Sequence, residues 1–315
     1  MDTRLCTHHV GGRGGSQSFP YYPQFSQDII NVLYEADASC VDQIKNFWSE
    51  RYLETIVLPY CIGEKHEKRP FYIYFNPYES SLLKPNPAYK DFYLPMPESG
   101  PVDHLMSENS KVVEEVEVEV FPLDEVIQKD KIPPPNFLSV DTQGTSLNIL
   151  RGAEKAIQKH VVGMCLETGF HSFYLKEELF GDICKWAHEH DFLFVKFLHI
   201  GQRAPFRCPL GFRGEGMDYY ADSLFLRSVE SVCDMQINKE EKYLLLHQLA
   251  FVAMIYHQVE YALKALLKAR QYTVNDALLA ELQKRTYGKM NQDVLKAYDS
   301  QPHVYPPTYN KASTT

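Results

Sequence analysis

The chain is most tightly restricted by one repeated order. A short apolar run is followed by a stretch of helical length, and then by another apolar run that closes on a polar side chain. Residues 29–34 close on Glu35, residues 137–140 on Asp141, residues 161–166 on Glu167 and residues 192–198 on His199. Helical spacing falls between them, over 41–48, 123–129, 147–157 and 179–190. Apolar strands separated by helix-length connections predict an α/β fold, a mostly parallel sheet with helices on both faces. In such sheets ligands bind beyond the carboxyl ends of the strands, where the strand order reverses, so the closing residues are the first candidates for chemistry.

Other segments read less regularly. Residues 55–62 predict a third strand, with 71–75 as its hairpin partner across a charged turn. Residues 112–120 alternate Val with Glu, which predicts a strand with one wet face. Residues 223–226 predict a short strand. Residues 76–111 and 200–221 read as long loops, the second carrying Arg203, Arg207 and Arg213 over the cleft. From residue 238 the pattern turns all-helical, with a hairpin broken near 257–260 and a helix over 276–298. The expected division is 1–228 for the α/β domain, 229–300 for a C-terminal helical segment and 301–315 for a disordered tail.

Composition excludes several classes. Of 315 residues, 44% are hydrophobic and 23% charged, so the chain is neither disordered nor fibrous. A net charge of −9 argues against general nucleic-acid binding, which needs a basic surface. The seven cysteines are scattered with no CxxC pair, so neither a disulfide framework nor a zinc site is expected. Reduced thiols, no leader pattern and no apolar run of about 18 residues predict a cytoplasmic protein without a membrane span.

The expected first strand runs into Gly11-Gly12-Arg13-Gly14-Gly15-Ser16. About twenty residues later stands Glu35, placed to accept hydrogen bonds from ribose hydroxyls. Loop and acid together point to an adenosine-containing cofactor, either a nicotinamide dinucleotide or S-adenosylmethionine. The dinucleotide fingerprint lacks its third glycine here, which favours the methyl donor. Asp141 and Glu167 should face one cleft, where they could share a proton, grip substrate hydroxyls or hold a divalent cation. The cation is the lesser reading, since no third ligand is evident. His171 and His199 are the candidate general bases.

Several of these stretches, taken in order, resemble the FkbM-type S-adenosylmethionine-dependent methyltransferases across about residues 8–228. They are Val10 to Gly15, Tyr34-Glu35-Ala36-Asp37, Ser80-Ser81-Leu82-Leu83, Leu123 to Ile127, Ser139-Val140-Asp141-Thr142-Gln143-Gly144 with Leu150 to Glu154, and Leu166-Glu167 with His171 and Tyr174. The resemblance implies a class I, Rossmann-like sheet of seven strands with the last antiparallel. It implies O-methylation of a hydroxyl on a sugar, glycan or secondary metabolite. The expected cofactor contacts are Gly11, Gly12, Arg13, Gly14, Glu35, Ala36, Cys61, Ile62, Ser80, Ser81 and Asp141. The expected catalytic set is Asp141, Glu167, His171 and His199. The family usually carries an acid just before the glycine loop, where this chain has His9. That difference and the extra helices motivate a second reading, a non-catalytic binding relative; a nicotinamide-dependent oxidoreductase is the third. The expected partner is a small-molecule or glycan acceptor, and the C-terminal helices are candidates for a homodimer contact.

Overall fold

The computed structural model describes residues 2–14, 18–94, 105–207 and 214–301. Gly15, Ser16, Arg213 and the expected tail from residue 302 lie outside the described residues. The strands are β1 (Leu5–Val10), β2 (Ile29–Tyr34), β3 (Glu54–Leu58), β4 (Cys61–Gly63), β5 (Glu67–Tyr74), β6 (Val112–Pro122), β7 (Phe137–Val140), β8 (Gly163–Gly169), β9 (Phe192–Arg203) and β10 (Met217–Arg227). Seven of them form one sheet in the order β3-β2-β1-β7-β8-β10-β9. Neighbours are parallel from β3 to β8, and β10 runs antiparallel to both β8 and β9. This is the predicted Rossmann-like sheet with its last strand reversed. The order turns back on itself between β1 and β7, which sets the switch point there.

β1 lies at the centre although its sequence, Leu-Cys-Thr-His-His-Val, is half polar, and all six residues are buried. Buried polar groups must be partnered. Thr7 Oγ1 donates to Asn31 Oδ1 at 3.2 Å, and His8 bonds Tyr34 Oη through Nδ1 at 3.0 Å and the Pro133 carbonyl through Nε2 at 2.9 Å. Burial lowers the His8 pKa to about 3, so the imidazole stays neutral inside the sheet.

Helices cover both faces. One face packs on helices Leu123–Asp130, Ser146–Gly152, Glu154–His160 and Phe180–Glu189 through residues such as Val126, Leu150, Ile157 and Ile183. The other packs on helix Val41–Ser49 and on the C-terminal helices Lys239–Ile255 and Val259–Ala269. Leu249, Phe251 and Val252 share one core with Leu5, Leu33, Phe137 and Leu226. The C-terminal helices therefore serve as a covering layer of the sheet. Among the described residues no helix is long and apolar enough to cross a membrane.

Several boundaries differ from expectation. The run 55–62 splits at Pro59-Tyr60, where β3 ends in the main sheet and β4 begins a second sheet of order β4-β6-β5. Residues 71–74 therefore have a different partner: β5 pairs antiparallel with β6, about forty residues on. The Val/Glu alternation does give a strand, and Val116 and Val118 face inward toward a cavity while Glu117 and Glu119 face out. The expected loop over 200–221 is strand at both ends, because β9 runs to Arg203 and β10 begins at Met217, and residues 208–213 between them lie outside the described residues. The helix over 147–157 breaks at Ala153, and that over 276–298 breaks at Arg285 into Asp276–Lys284 and Thr286–Ser300. Glu167 lies within β8, two residues before its end.

Candidate functional site

A cavity of about 640 Å³ opens at the carboxyl ends of β1, β2, β7 and β8. That is within the range of roughly 300–1,000 Å³ for small-molecule sites. Its far wall is the second sheet, through Phe71, Ile73, Val116 and Val118.

The rim at the switch point is fixed by the backbone. Gly11 N donates to the Tyr34 carbonyl at 3.1 Å, and Asp141 N donates to the Val10 carbonyl at 2.9 Å. Gly11 has φ +99°, and a Cβ there would lie 1.8 Å from the Asp141 carbonyl oxygen. Glycine is required so that the turns after β1 and β7 can touch. Its N–H is already used, so Gly11 itself acts as a packing joint between the two turns and not as a free donor. Gly12 does not line the cavity, whereas Arg13 does, reaching Asp37 in an ion pair; the surroundings of Gly14 lie outside what is described. Beneath the turn, His9 is buried and its Nε2 bonds the Gly11 carbonyl at 3.0 Å.

At the end of β2, Glu35 is buried and lines the cavity beside Ala36. Its Oε1 accepts from Asp37 N at 2.9 Å, and burial raises its pKa. Cys61 and Ile62 at the start of β4 line the same side. Burial pushes the Cys61 thiol up to about 12, which leaves it an inert packing group. Ser80 lines the cavity, and its Oγ accepts from Tyr74 N at 3.1 Å. Ser81 lies behind the lining, donating from Oγ to the Gln143 carbonyl at 2.7 Å, so it supports the loop after β7.

The centre of the site is a hydrogen-bonded set around Gln143. Its Nε2 donates to Asp141 Oδ1 at 3.1 Å and to Glu167 Oε1 at 3.0 Å, and its backbone N donates to Glu167 Oε2 at 3.0 Å. Its Oε1 accepts from Tyr174 Oη at 2.8 Å. These bonds hold Gln143 at φ 56°, a conformation uncommon for a residue with a side chain. Burial, with the nearby Asp141 and Asp222 charges, pushes Glu167 well above the ordinary carboxylate range. Asp222 pairs across from Glu167, and burial with the Asp141 charge raises it to about 6.

His171 lines the cavity. His199 does not, which corrects its assignment as a candidate base. β9 continues past it to Arg203, and His199 pairs with Asp222, two strand spacings from Glu167, with its side chain exposed. Among the candidate arginines Arg203 lines the cavity and Arg207 does not. Among the described residues no cluster of three or more His, Cys, Asp or Glu could hold a metal ion.

Sequence reasoning missed Gln143 as a site residue, although its place between a strand-closing acid and Gly144 was a usable signal. It also missed Glu79, Glu177 and Tyr219, which line the cavity from loops and a strand interior with no pattern to mark them.

Residues 55–194 match the family model for the methyltransferase FkbM domain. The resemblance read from the sequence thus holds over that stretch, which includes Asp141, Gln143, Glu167 and His171 and begins after the glycine loop and Glu35. A solved structure, the methyltransferase FkbM from Methylobacillus flagellatus KT, is similar at 13% identity and a TM-score of 0.39. The similarity covers 72% of this chain, which spans 44% of that protein. No curated relative matches the chain.

Proposed function

We propose that this chain is an S-adenosylmethionine-dependent methyltransferase that methylates a hydroxyl of a sugar, glycan or secondary metabolite. The FkbM domain match supports a methyltransferase. One observation carries the finer reading: Glu35, Asp141 and Glu167 open into a single cavity at the switch point, with Gln143 bridging the last two.

The lining fits such a cofactor. Glu35 offers a buried carboxylate for a ribose diol, Ile62 and Tyr60 offer apolar surface for a base, and the carboxylates suit a cation. The cofactor, when bound, supplies an electrophilic methyl group on a sulfonium. The chain supplies position and a proton acceptor. An alcohol has a pKa far above 7, so the oxygen needs a base or acceptor as it attacks. Glu167 is the lining group assigned that role, because burial raises it above the ordinary carboxylate range and a more basic carboxylate accepts a proton more readily. Gln143 keeps both Glu167 oxygens oriented, and such fixed alignment supplies much of a displacement's acceleration.

Calorimetry with S-adenosylmethionine tests the cofactor. Mass spectrometry of hydroxylated acceptors, read for the gain of one CH₂, tests the reaction. Saturable binding together with methyl gain on at least one acceptor is the expected result. A folded sample that binds no S-adenosylmethionine would overturn the reading, and binding of NADH in its place would select the oxidoreductase alternative.

A further inference from the structure

The cavity has a second polar corner that the reading above does not use. Two buried oxygens there, Tyr219 Oη and Glu79 Oε2, have no hydrogen-bond partner among the described residues. Tyr219 is only 4% exposed, and both side chains line the cavity. A buried polar atom left unbonded costs stability, so a fold that keeps two of them in one pocket gains nothing from them in the free state.

The backbone is shaped to keep them there. Pairing of β10 with β9 runs Asp218 to Gln202 and then Tyr220 to Gly201, so Tyr219 is the extra residue of a bulge. Bulges re-aim a side chain at the cost of ladder pairing. Gly201 makes room for the neighbouring ring, since a Cβ there would lie 2.0 Å from Tyr220 Cε1. Glu79 closes the short turn Pro77–Glu79. Its Oε1 is held by Asn76 Nδ2 at 3.1 Å, which leaves Oε2 directed elsewhere. Tyr174 Oη lies 3.3 Å from the Glu79 carbonyl and also donates to Gln143, so the corner is tied to the Asp141–Glu167 centre.

The chemistry of the corner selects a ligand class. The His171 ring stacks against Tyr219 at 5.9 Å and 24°, and the Arg203 guanidinium lies 5.6 Å from the Tyr219 ring centre. Arg203 offsets the Glu79 charge, which favours a neutral hydrogen-bonding group over an ammonium. Flat rings beside an open carboxylate oxygen and an open phenol suit a ring that carries C–H faces and hydroxyls at its edge. We propose that Tyr219 and Glu79 form a subsite for a second hydroxyl of a glycosyl acceptor, so that the accepted molecule is polyhydroxylated and not a simple alcohol. The proposal rests on the methyl-transfer reading for the role of the other half of the cavity.

Saturation-transfer NMR on the full chain loaded with S-adenosylhomocysteine tests it. The probes are the methyl glycosides of glucose, galactose, mannose and rhamnose, with cyclohexanol as the single-hydroxyl control. At least one glycoside should bind and cyclohexanol should not. Tyr219→Phe and Glu79→Gln should each weaken that glycoside about tenfold or more, and leave S-adenosylhomocysteine affinity within about twofold. The proposal is overturned if no glycoside binds, if cyclohexanol binds equally well, or if both variants leave glycoside affinity unchanged. Thermal unfolding gives a reading independent of any acceptor. Tyr219→Phe should unfold at the wild-type temperature or above it, and a fall of several degrees would assign the hydroxyl a structural role instead. Should the wild type bind a glycoside in a Tyr219-dependent way yet ignore S-adenosylhomocysteine, the methyl-transfer reading fails and the subsite stands.

Discussion

The two halves of the cavity are built on opposite terms. On the switch-point side the polar groups are mutually engaged. Arg13 holds Asp37, Asp37 N holds Glu35, and Gln143 holds Asp141, Glu167 and Tyr174 together. On the far side Tyr219 Oη and Glu79 Oε2 are buried and open. An engaged set is preorganised and keeps its shape without a ligand. An open set is one whose hydrogen bonds can be completed only by what enters. Under the function proposed above, the engaged half is the one that would hold the cofactor and the open half the one that would select the acceptor.

The sharpest way to break the engaged half is Gly11→Ala. The added Cβ meets the Asp141 carbonyl in a left-handed backbone, so the turns after β1 and β7 must separate. Strain and overpacking together should cost roughly 3 kcal/mol or more. Denaturant unfolding should show this loss together with loss of cofactor binding, and unchanged values would mean that the joint between the two turns is not needed.

A smaller effect is expected at Glu35→Ala, which leaves the joint intact. Hydrogen bonds to a charged group are worth about 1.5–3 kcal/mol each, so S-adenosylmethionine affinity should fall by more than about tenfold. An unaltered dissociation constant in calorimetry would remove Glu35 from the cofactor side.

The mildest test asks what the buried acids cost the free protein. Burial raises Glu177 from 4.5 to about 7. The folded state therefore keeps a proton that the unfolded chain releases first, so this group's share of stability is present below about pH 4.5 and lost as pH rises through about 7. Glu177→Gln should match the wild type near pH 5 and exceed it at pH 8 by about 2 kcal/mol. Parallel pH profiles for the two proteins would show that Glu177 does not titrate in this window.

Much of the scaffold was legible because its signals are local. Residues 29–34, 137–140 and 161–166 are runs whose apolar character and length mark buried strands, and each closes on an acid that reaches the site. The second sheet was not legible, because Pro59-Tyr60 interrupts a run that looks continuous and β5 finds its partner about forty residues away. His199 misled for a related reason. A polar residue at the close of the largely apolar stretch 192–198 looks like a strand end, yet pairing with β10 carries β9 on to Arg203.

The sequence by itself determined the succession of strands and helices, and with it the acids Glu35 and Asp141 at the ends of their strands, because periodicity and termini are properties of neighbouring residues. The tertiary structure decided the rest. It made Gln143 a bridge between Asp141 and Glu167, turned Tyr219 inward at a bulge, set Glu79 beside it and left His199 outside. Each of those outcomes depends on register and packing between segments far apart in the chain, which no local pattern of side chains encodes.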